Sequence, residues 1–220
     1  SNIRLSGSQT VIRPEFRELS PFAFFDFELG ATVLGNPDLQ RTKITNADLR
    51  YEIYPRAGEL FTLGVFYKYF HNPIEVYFNQ SGVGTSNTFN FLNAEKATGY
   101  GVEFEMRKKL DFFNALKNFT LQGNVSYIHN RVTDSRSNID RPMQGQSPYV
   151  VNVGLQYDLA KAGFSTTLLF NQIGRRILYV GNDQIPAIWE NPRPLLDFQI
   201  AKKIIGDRGE IKLNVSDIFN

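Results

Sequence analysis

The sequence predicts an all-β fold: an antiparallel up-and-down sheet of about nine strands, forming part of a transmembrane β-barrel. Three observations lead there: period-2 alternation with one greasy and one polar face, a strict alternation of long and short connections, and aromatics that bracket an aliphatic band. The plainest case is 44–70. Thr45, Ala47, Leu49, Tyr51 and Ile53 point one way and Asn46, Asp48, Arg50 and Glu52 the other. After the turn residues Pro55, Arg56, Ala57 and Gly58, the pattern repeats with Phe61, Leu63, Val65, Tyr67 and Tyr69 opposite Thr62, Gly64 and Lys68.

The other elements follow in order. Residues 2–10 read as a first strand, with Ile3 and Leu5 alternating with Arg4 and Ser6. The connection 11–43 holds Phe22, Phe24, Phe25 and Phe27, too apolar for a floppy loop, so it is expected to pack on itself or on the wall. After the hairpin comes a second long connection, 71–95, whose Ser81-Gly82-Val83-Gly84 is read as a turn. Strand four places Tyr100, Val102, Phe104 and Met106 against Glu103, Glu105 and Arg107, and the short link 110–117 suits one helical turn. Strand five, 118–131, sets Phe119, Leu121, Val125 and Tyr127 against Thr120, Gln122, Asn124 and Ser126. The segment 132–146 is rich in Asp, Ser, Arg and Gly and reads as solvated. Strands six and seven carry Tyr149, Val151, Val153, Leu155 and Tyr157, then Phe164, Leu168 and Phe170, around a turn at 159–162. A fourth long segment, 174–193, precedes strands eight (Leu196, Phe198, Ile200) and nine (Ile211, Leu213, Val215), joined by a turn at 205–209.

Composition limits the alternatives. Of the 220 residues 14% are aromatic, with 19 Phe and 10 Tyr, which favours strands and membrane interfaces. Mean hydropathy is −0.28 and no apolar run approaches the roughly 18 residues of a spanning helix, but barrel strands hide their hydrophobicity by alternation. Cysteine is absent, which excludes a disulfide scaffold and cysteine-bearing metal sites within this span. The net charge of +2 comes from interspersed signs and argues against nucleic acid as a partner. No signal peptide opens the chain, so its N-terminus is expected to be internal or trimmed.

Alternation alone also fits a soluble β-sandwich binding module. Keeping every long connection at one end and every short turn at the other is the outer-membrane arrangement. With long loops outside, Tyr67, Tyr69, Tyr100, Tyr127, Tyr149 and Phe170 fall at the outer rim and Tyr51, Phe61, Phe119, Tyr157 and Phe164 at the inner one. These read as two interfacial girdles, since a tyrosine ring can be buried while its hydroxyl stays wet.

The chain resembles the TonB-dependent receptors of Gram-negative outer membranes, particularly those with a carboxypeptidase-regulatory-like domain before the plug. The likeness rests on Arg13-Pro14-Glu15-Phe16-Arg17-Glu18-Leu19, Gly35-Asn36-Pro37-Asp38-Leu39, Arg50-Tyr51-Glu52 and Phe66-Tyr67-Lys68 with Asn72-Pro73-Ile74-Glu75. It continues in Gly99-Tyr100-Gly101-Val102-Glu103-Phe104-Glu105 and Leu213-Asn214-Val215-Ser216-Asp217-Ile218-Phe219-Asn220. It implies a 22-stranded barrel, an N-terminal plug and a TonB box, with residues 1–220 as the C-terminal portion of the wall. It implies outer-membrane lipid, the plug and the TonB complex as partners, and a siderophore, vitamin, glycan or peptide as substrate. A passive porin shares the fold.

Catalysis is not expected. His129 shares parity with Tyr127 on the lipid side, His71 opens a long loop, and the inward carboxylates Asp48, Glu52, Glu103, Glu105 and Asp158 face Arg50, Lys68 and Arg107, which cross-strand ion pairing explains. No cofactor or metal is called for. Ligand contacts are expected from the outer loops: Trp189, the only Trp, lies near Asn182 and Asp183, and Tyr77, Phe78 and Phe89 offer further aromatic surface. Pinning a loop to the barrel mouth is the plainer role for Trp189.

Overall fold

The computed structural model describes residues 1–27, 30–79, 88–134, 137–181, 185–206 and 208–219. In chain order the first elements are β1 (Asn2–Ile12), α1 (Phe16–Leu19), β2 (Ala23–Asp26), β3 (Ala31–Leu34), β4 (Thr42–Ile53), β5 (Leu60–His71), β6 (Ile74–Asn79), β7 (Thr88–Asn93) and β8 (Lys96–Lys109). They are followed by β9 (Phe119–Asp134), β10 (Ser137–Arg141), β11 (Tyr149–Leu159), β12 (Phe164–Ile173), β13 (Arg176–Tyr179), β14 (Ile188–Glu190), β15 (Pro194–Ile204) and β16 (Gly209–Val215). A 3-10 turn, Asn114–Leu116, occupies the link where one helical turn is expected.

Nine strands make the wall in the order β1-β4-β5-β8-β9-β11-β12-β15-β16, and every neighbouring pair is antiparallel. Each wall strand pairs with the next wall strand along the chain, so the sheet is a meander, and β10 folds back on the end of β9. The sheet is open, with β1 and β16 at its edges. All nine strands expected from alternation are present, and the register joins their faces. Leu5, Leu49, Val65, Val102, Tyr127 and Tyr149 are successive partners along one row, with Ile3, Tyr51, Leu63, Phe104, Val125 and Val151 along the next. On the opposite face the row runs Asn2, Glu52, Thr62, Glu105, Asn124, Asn152 and Asn171.

The two faces meet different surroundings. On the apolar face Leu63 is 51% exposed and Leu49, Val65 and Val102 are each 45% exposed. A sandwich would cover these positions with a second sheet. The four-stranded sheet β2-β3-β7-β6 instead builds its core from its own residues and Tyr179. On the polar face Glu52 accepts Arg4 at 3.2 Å and Arg50 at 3.2 Å, and Arg50 reaches on to Glu105 at 2.8 Å. Asn171 donates to Asn152, which donates to Asn124 at 2.8 Å, a ladder of amides across three strands. A hollow of about 490 Å³ lies on this face, lined by Glu105, Arg107, Gln122, Asn124, Asn152 and Asp197 among others. Gly101 is required on that side, because a Cβ there would meet the Phe66 ring at 2.6 Å and the Tyr127 carbonyl oxygen at 2.4 Å.

The short-turn end is tied by charge. Arg56 forks onto Asp111 at 2.9 and 2.7 Å and reaches Glu59 at 2.6 Å, while Lys108 contacts Glu59 at 3.0 Å. These bonds join the 54–59 turn to the link after β8. The Glu59 side chain is fully covered, and the Arg56 guanidinium, then the Lys108 ammonium, hold its carboxyl down to about 2 against the opposing effect of burial.

Two outcomes follow from this architecture. Val102→Arg puts a guanidinium among lipid-facing aliphatics and is expected to destabilise the barrel by about 2 to 4 kcal/mol, measured by reversible unfolding in lipid; an unchanged midpoint would mean that the position does not touch hydrocarbon. For Glu59, an unfolded carboxyl titrates near its ordinary 4.5 while the folded one titrates near 2. The stability it contributes is therefore complete above pH 4.5 and is lost as pH falls toward 2. Glu59→Gln should flatten that acid limb in unfolding curves recorded across the window.

Candidate functional site at the outer loops

The described parts of the four long connections are folded, and the sequence signatures explain how. In the first, Glu15 precedes α1 and its backbone N–H donates to the Glu18 carboxylate at 2.8 Å, closing the turn. Gly35 lies against the carbonyls of Arg17, Glu18 and Ser20 so closely that a Cβ would fall 2.1 Å from the last. The next residue, Asn36, donates its N–H to Glu18 O at 2.6 Å and its side-chain amide to Phe91 O at 3.0 Å, and accepts from Asp38 N–H at 3.0 Å. The two signature segments of this connection thus clasp each other and then the second connection. Asn93 completes the join, donating to Gln40 O at 2.9 Å and Asn72 O at 2.8 Å while accepting from Gln40 N–H at 2.8 Å.

Above this clasp β2, β3, β7 and β6 form the four-stranded sheet, with β3 and β7 parallel. Ala31, Val33 and Phe89 are its buried centre, packed by Phe24, Val76, Phe78, Phe91 and Tyr179. The last of these comes from the fourth connection. There β13 and β14 pair, and Val180 exchanges backbone hydrogen bonds with β6, from Phe78 N–H at 2.8 Å and to Val76 O at 3.0 Å. Exposed Phe16, Phe22, Phe25 and Phe27 lie outside that core, so only part of the first connection's aromatic surface is packed away.

The third connection enters through a buried polar network, which corrects the expectation that 132–146 is solvated. Arg141 forks onto Glu75 at 3.0 and 2.6 Å, with side chains only 8% and 2% exposed. The same guanidinium donates to the Tyr77 hydroxyl at 3.0 Å, and that hydroxyl donates to the buried Asp134 at 2.8 Å. Gln144 donates its N–H to Glu75 at 2.9 Å, accepts from Val76 N–H at 2.6 Å and donates to Leu178 O at 2.6 Å. Burial pushes the Tyr77 phenol up, reinforced by the Glu75 charge. Burial alone would lower Arg141, but Glu75 more than offsets it and the guanidinium stays charged. Composition misled because Asp134 and Arg141 find partners about 60 residues away, in a segment with no local signal for them.

The sequence-predicted residues fall as follows. Tyr77 is engaged in the network, and Phe78 is packed in the sheet core with its ring 5.1 Å from Phe89. Trp189 lies on β14, partly exposed, with the Arg175 guanidinium 4.8 Å from its ring. Asn182 and Asp183, like the Ser81-Gly82-Val83-Gly84 turn, lie outside the described residues. Of the rim aromatics, Tyr51, Tyr67, Tyr100 and Tyr127 are exposed on the apolar face, and Tyr69, Tyr149 and Phe61 are half-buried there. Phe119, Tyr157 and Phe164 form a chain of rings at 4.8 and 6.3 Å. His129 stacks near Tyr100 at 5.1 Å. Among the inward charges, Glu52 and Glu105 pair as expected, whereas Lys68 lies 5.5 Å from the Phe66 ring and Asp48 accepts from Ser6. Glu75, Asp134, Arg141 and Gln144 escaped the sequence reading; the alternation of Ile74, Val76 and Phe78 and of Phe89 and Phe91 was the available signal for the strands that carry or face them.

Arg141→Ala would leave Glu75 buried and uncompensated, a change expected to cost about 3 to 5 kcal/mol locally. Hydrogen exchange should show β6, β7 and β13 losing protection while the wall strands keep theirs; equal loss throughout would mean that the loops are not a separate unit.

The profile of the outer membrane protein beta-barrel family matches residues 1–220. Curated proteins compared by sequence give no match. Solved structures do: a point variant of the ferric enterobactin receptor of Pseudomonas aeruginosa at 15% identity and TM-score 0.61, covering 99% of this chain and 32% of that one. The siderophore receptor PirA of Acinetobacter baumannii aligns at 15% identity and TM-score 0.63, covering 99% and 35%, and the copper transporter OprC at 15% and 0.66, covering 99% and 31%. The chain therefore spans about a third of the length of the receptors it matches, and its fold is that of a piece of their wall. With a two-faced meander over its whole length and a family profile that covers it from end to end, the chain belongs to the outer membrane protein beta-barrel family and has its place in the Gram-negative outer membrane.

Proposed function

We propose that residues 1–220 are the C-terminal portion of the barrel of a TonB-dependent importer, which captures a nutrient at its outer loops and passes it along the lumen. The observation that carries this reading is the pairing of a polar inner wall with four folded connections gathered at one end. A substrate entering from outside meets the loop cluster first. The partly exposed Trp189 with Arg175 offers a surface suited to stacking and hydrogen bonding of an iron chelate, vitamin, glycan or peptide, and Asn182 and Asp183, close to Trp189 in the sequence, are further candidates for ligand contact. Tyr77 and Phe78, held in the buried network and the sheet core, brace the loop cluster that carries it. Tyr51, Phe61, Tyr67, Tyr69, Tyr100, Phe119, Tyr127, Tyr149, Tyr157 and Phe164 serve as the interfacial aromatics of the wall. The ion-paired lumen face, with Arg50 and Glu105 at its centre, is the surface against which a plug would slide or unfold.

Import coupled to TonB differs from passive flow in needing energy. Cells with and without this receptor, and with and without TonB, should be compared for uptake of labelled ferric chelates, cobalamin, oligosaccharides and peptides. Uptake of one class should vanish on losing either protein. Uptake that needs the receptor but persists without TonB would identify a passive porin instead.

A further inference from the structure

The outward face carries a row of basic residues above its outer tyrosines that no ion pair among the described residues engages. Lys43 on β4, His71 on β5 and Lys96 on β8 are direct partners across adjacent strands, all exposed and in phase with the lipid-facing residues. Arg41 joins Lys43 and His71 around a cleft of about 400 Å³ whose other lining residues are Gln40 and Asn72, without a carboxylate. Among the described residues none of Arg41, Lys43, His71 and Lys96 takes part in an ion pair. Asp140 holds Arg131 at 2.7 Å, and Glu95, Asp38 and Asp134 line an adjoining polar cleft that shares Gln40 and Asn72 with this one, without an ion pair to it among the described residues.

Lys43, Lys96 and Arg41, gathered at one height around His71, repel one another, so the group calls for an anion from outside the protein. Its height says which. Tyr67 pairs with Tyr100, and His71 with Lys96 four residues further along the same two strands. That is roughly 13 Å along the strand and about 9 Å along the membrane normal for a wall tilted near 45°. A cation there sits beyond the hydrocarbon, at headgroup depth, where Lys and Arg readily extend toward the interface. We propose that Arg41, Lys43, His71 and Lys96 form a binding site for the phosphate groups of an outer-leaflet lipid. This rests on the orientation with the long connections outside.

The test uses the full-length receptor and its Arg41→Gln/Lys43→Gln/Lys96→Gln variant, none of these residues belonging to the lumen or the capture surface. Both are reconstituted into phosphatidylcholine vesicles, and insertion is checked by protease access to the long connections from outside. Binding is then read by native mass spectrometry against bisphosphorylated lipid A, the same lipid dephosphorylated, and inorganic phosphate as competitor. The native receptor should retain the bisphosphorylated lipid, prefer it over the dephosphorylated form, and lose roughly fivefold in affinity per cation removed, on the order of a hundredfold for three. Correct insertion with equal binding of both lipids, or a variant that binds as well as the native protein, overturns the site while leaving the barrel intact. Competition by inorganic phosphate at the concentration of the lipid also overturns it, because the site would then be for the free anion. Failure of both proteins to insert with the long connections outside overturns the orientation and the site together.

Discussion

Backbone amides and carbonyls have no water to bond inside a membrane, and this one constraint organises the chain. Strands meet it only by pairing along their whole length, so each wall strand finds its neighbour across a tight turn or a long excursion and the ladder continues without a gap from β1 to β16. Once pairing is obligatory, the side chains have two places to go. The period of two then sends Leu49, Val65 and Val102 to lipid and Glu52, Glu105 and Asn152 to the lumen. A slip of one residue would exchange the two sets, so the faces themselves fix the register.

The wall was legible for that reason. Alternation is a local signal, written every second residue, and Leu63 or Phe104 needs no knowledge of distant sequence to declare its side. The side of Tyr67, Tyr100 and Tyr127 was legible in the same way, since each shares the parity of its aliphatic neighbours. The loop cluster was not legible, since what holds it is long-range and polar. Arg141 and Glu75 stand 66 positions apart, and nothing about either neighbourhood marks it as half of a buried pair. Short strands such as β2 and β14 carry too few residues for a period to show, and β3 finds its partner in β7 across an entire wall hairpin.

The signature segments acquire a physical meaning here. Glu18, Gly35 and Asn36 do not reach outward toward a solute; they clasp the first connection to itself and to the second. Gly101 likewise makes room for Phe66 rather than for a ligand. Such residues are read as family markers because the architecture demands them, which is why they announce a barrel and stay silent about its cargo.

The two ends of the wall are built on different principles, and the difference bears on how the molecule could move. At the short turns, charge pairs such as Arg56 with Asp111 tie one turn directly to the next, with no added core. At the other end, the first, second and fourth connections share one apolar core and a buried ion network ties the third to the second, so displacing any of them breaks contacts in the others. A loop of that kind cannot fold inward alone. Motion at the outer mouth must either carry the cluster as a body about the strand ends, near Asn72, whose backbone adopts φ 54°, or begin outside it, at the exposed first connection with Phe16, Phe22 and Phe27. The core makes the first of these a coupled motion of the first, second and fourth connections, reinforced by the clasp between Asn36 and Phe91 O, and the Arg141–Glu75 pair draws in the third.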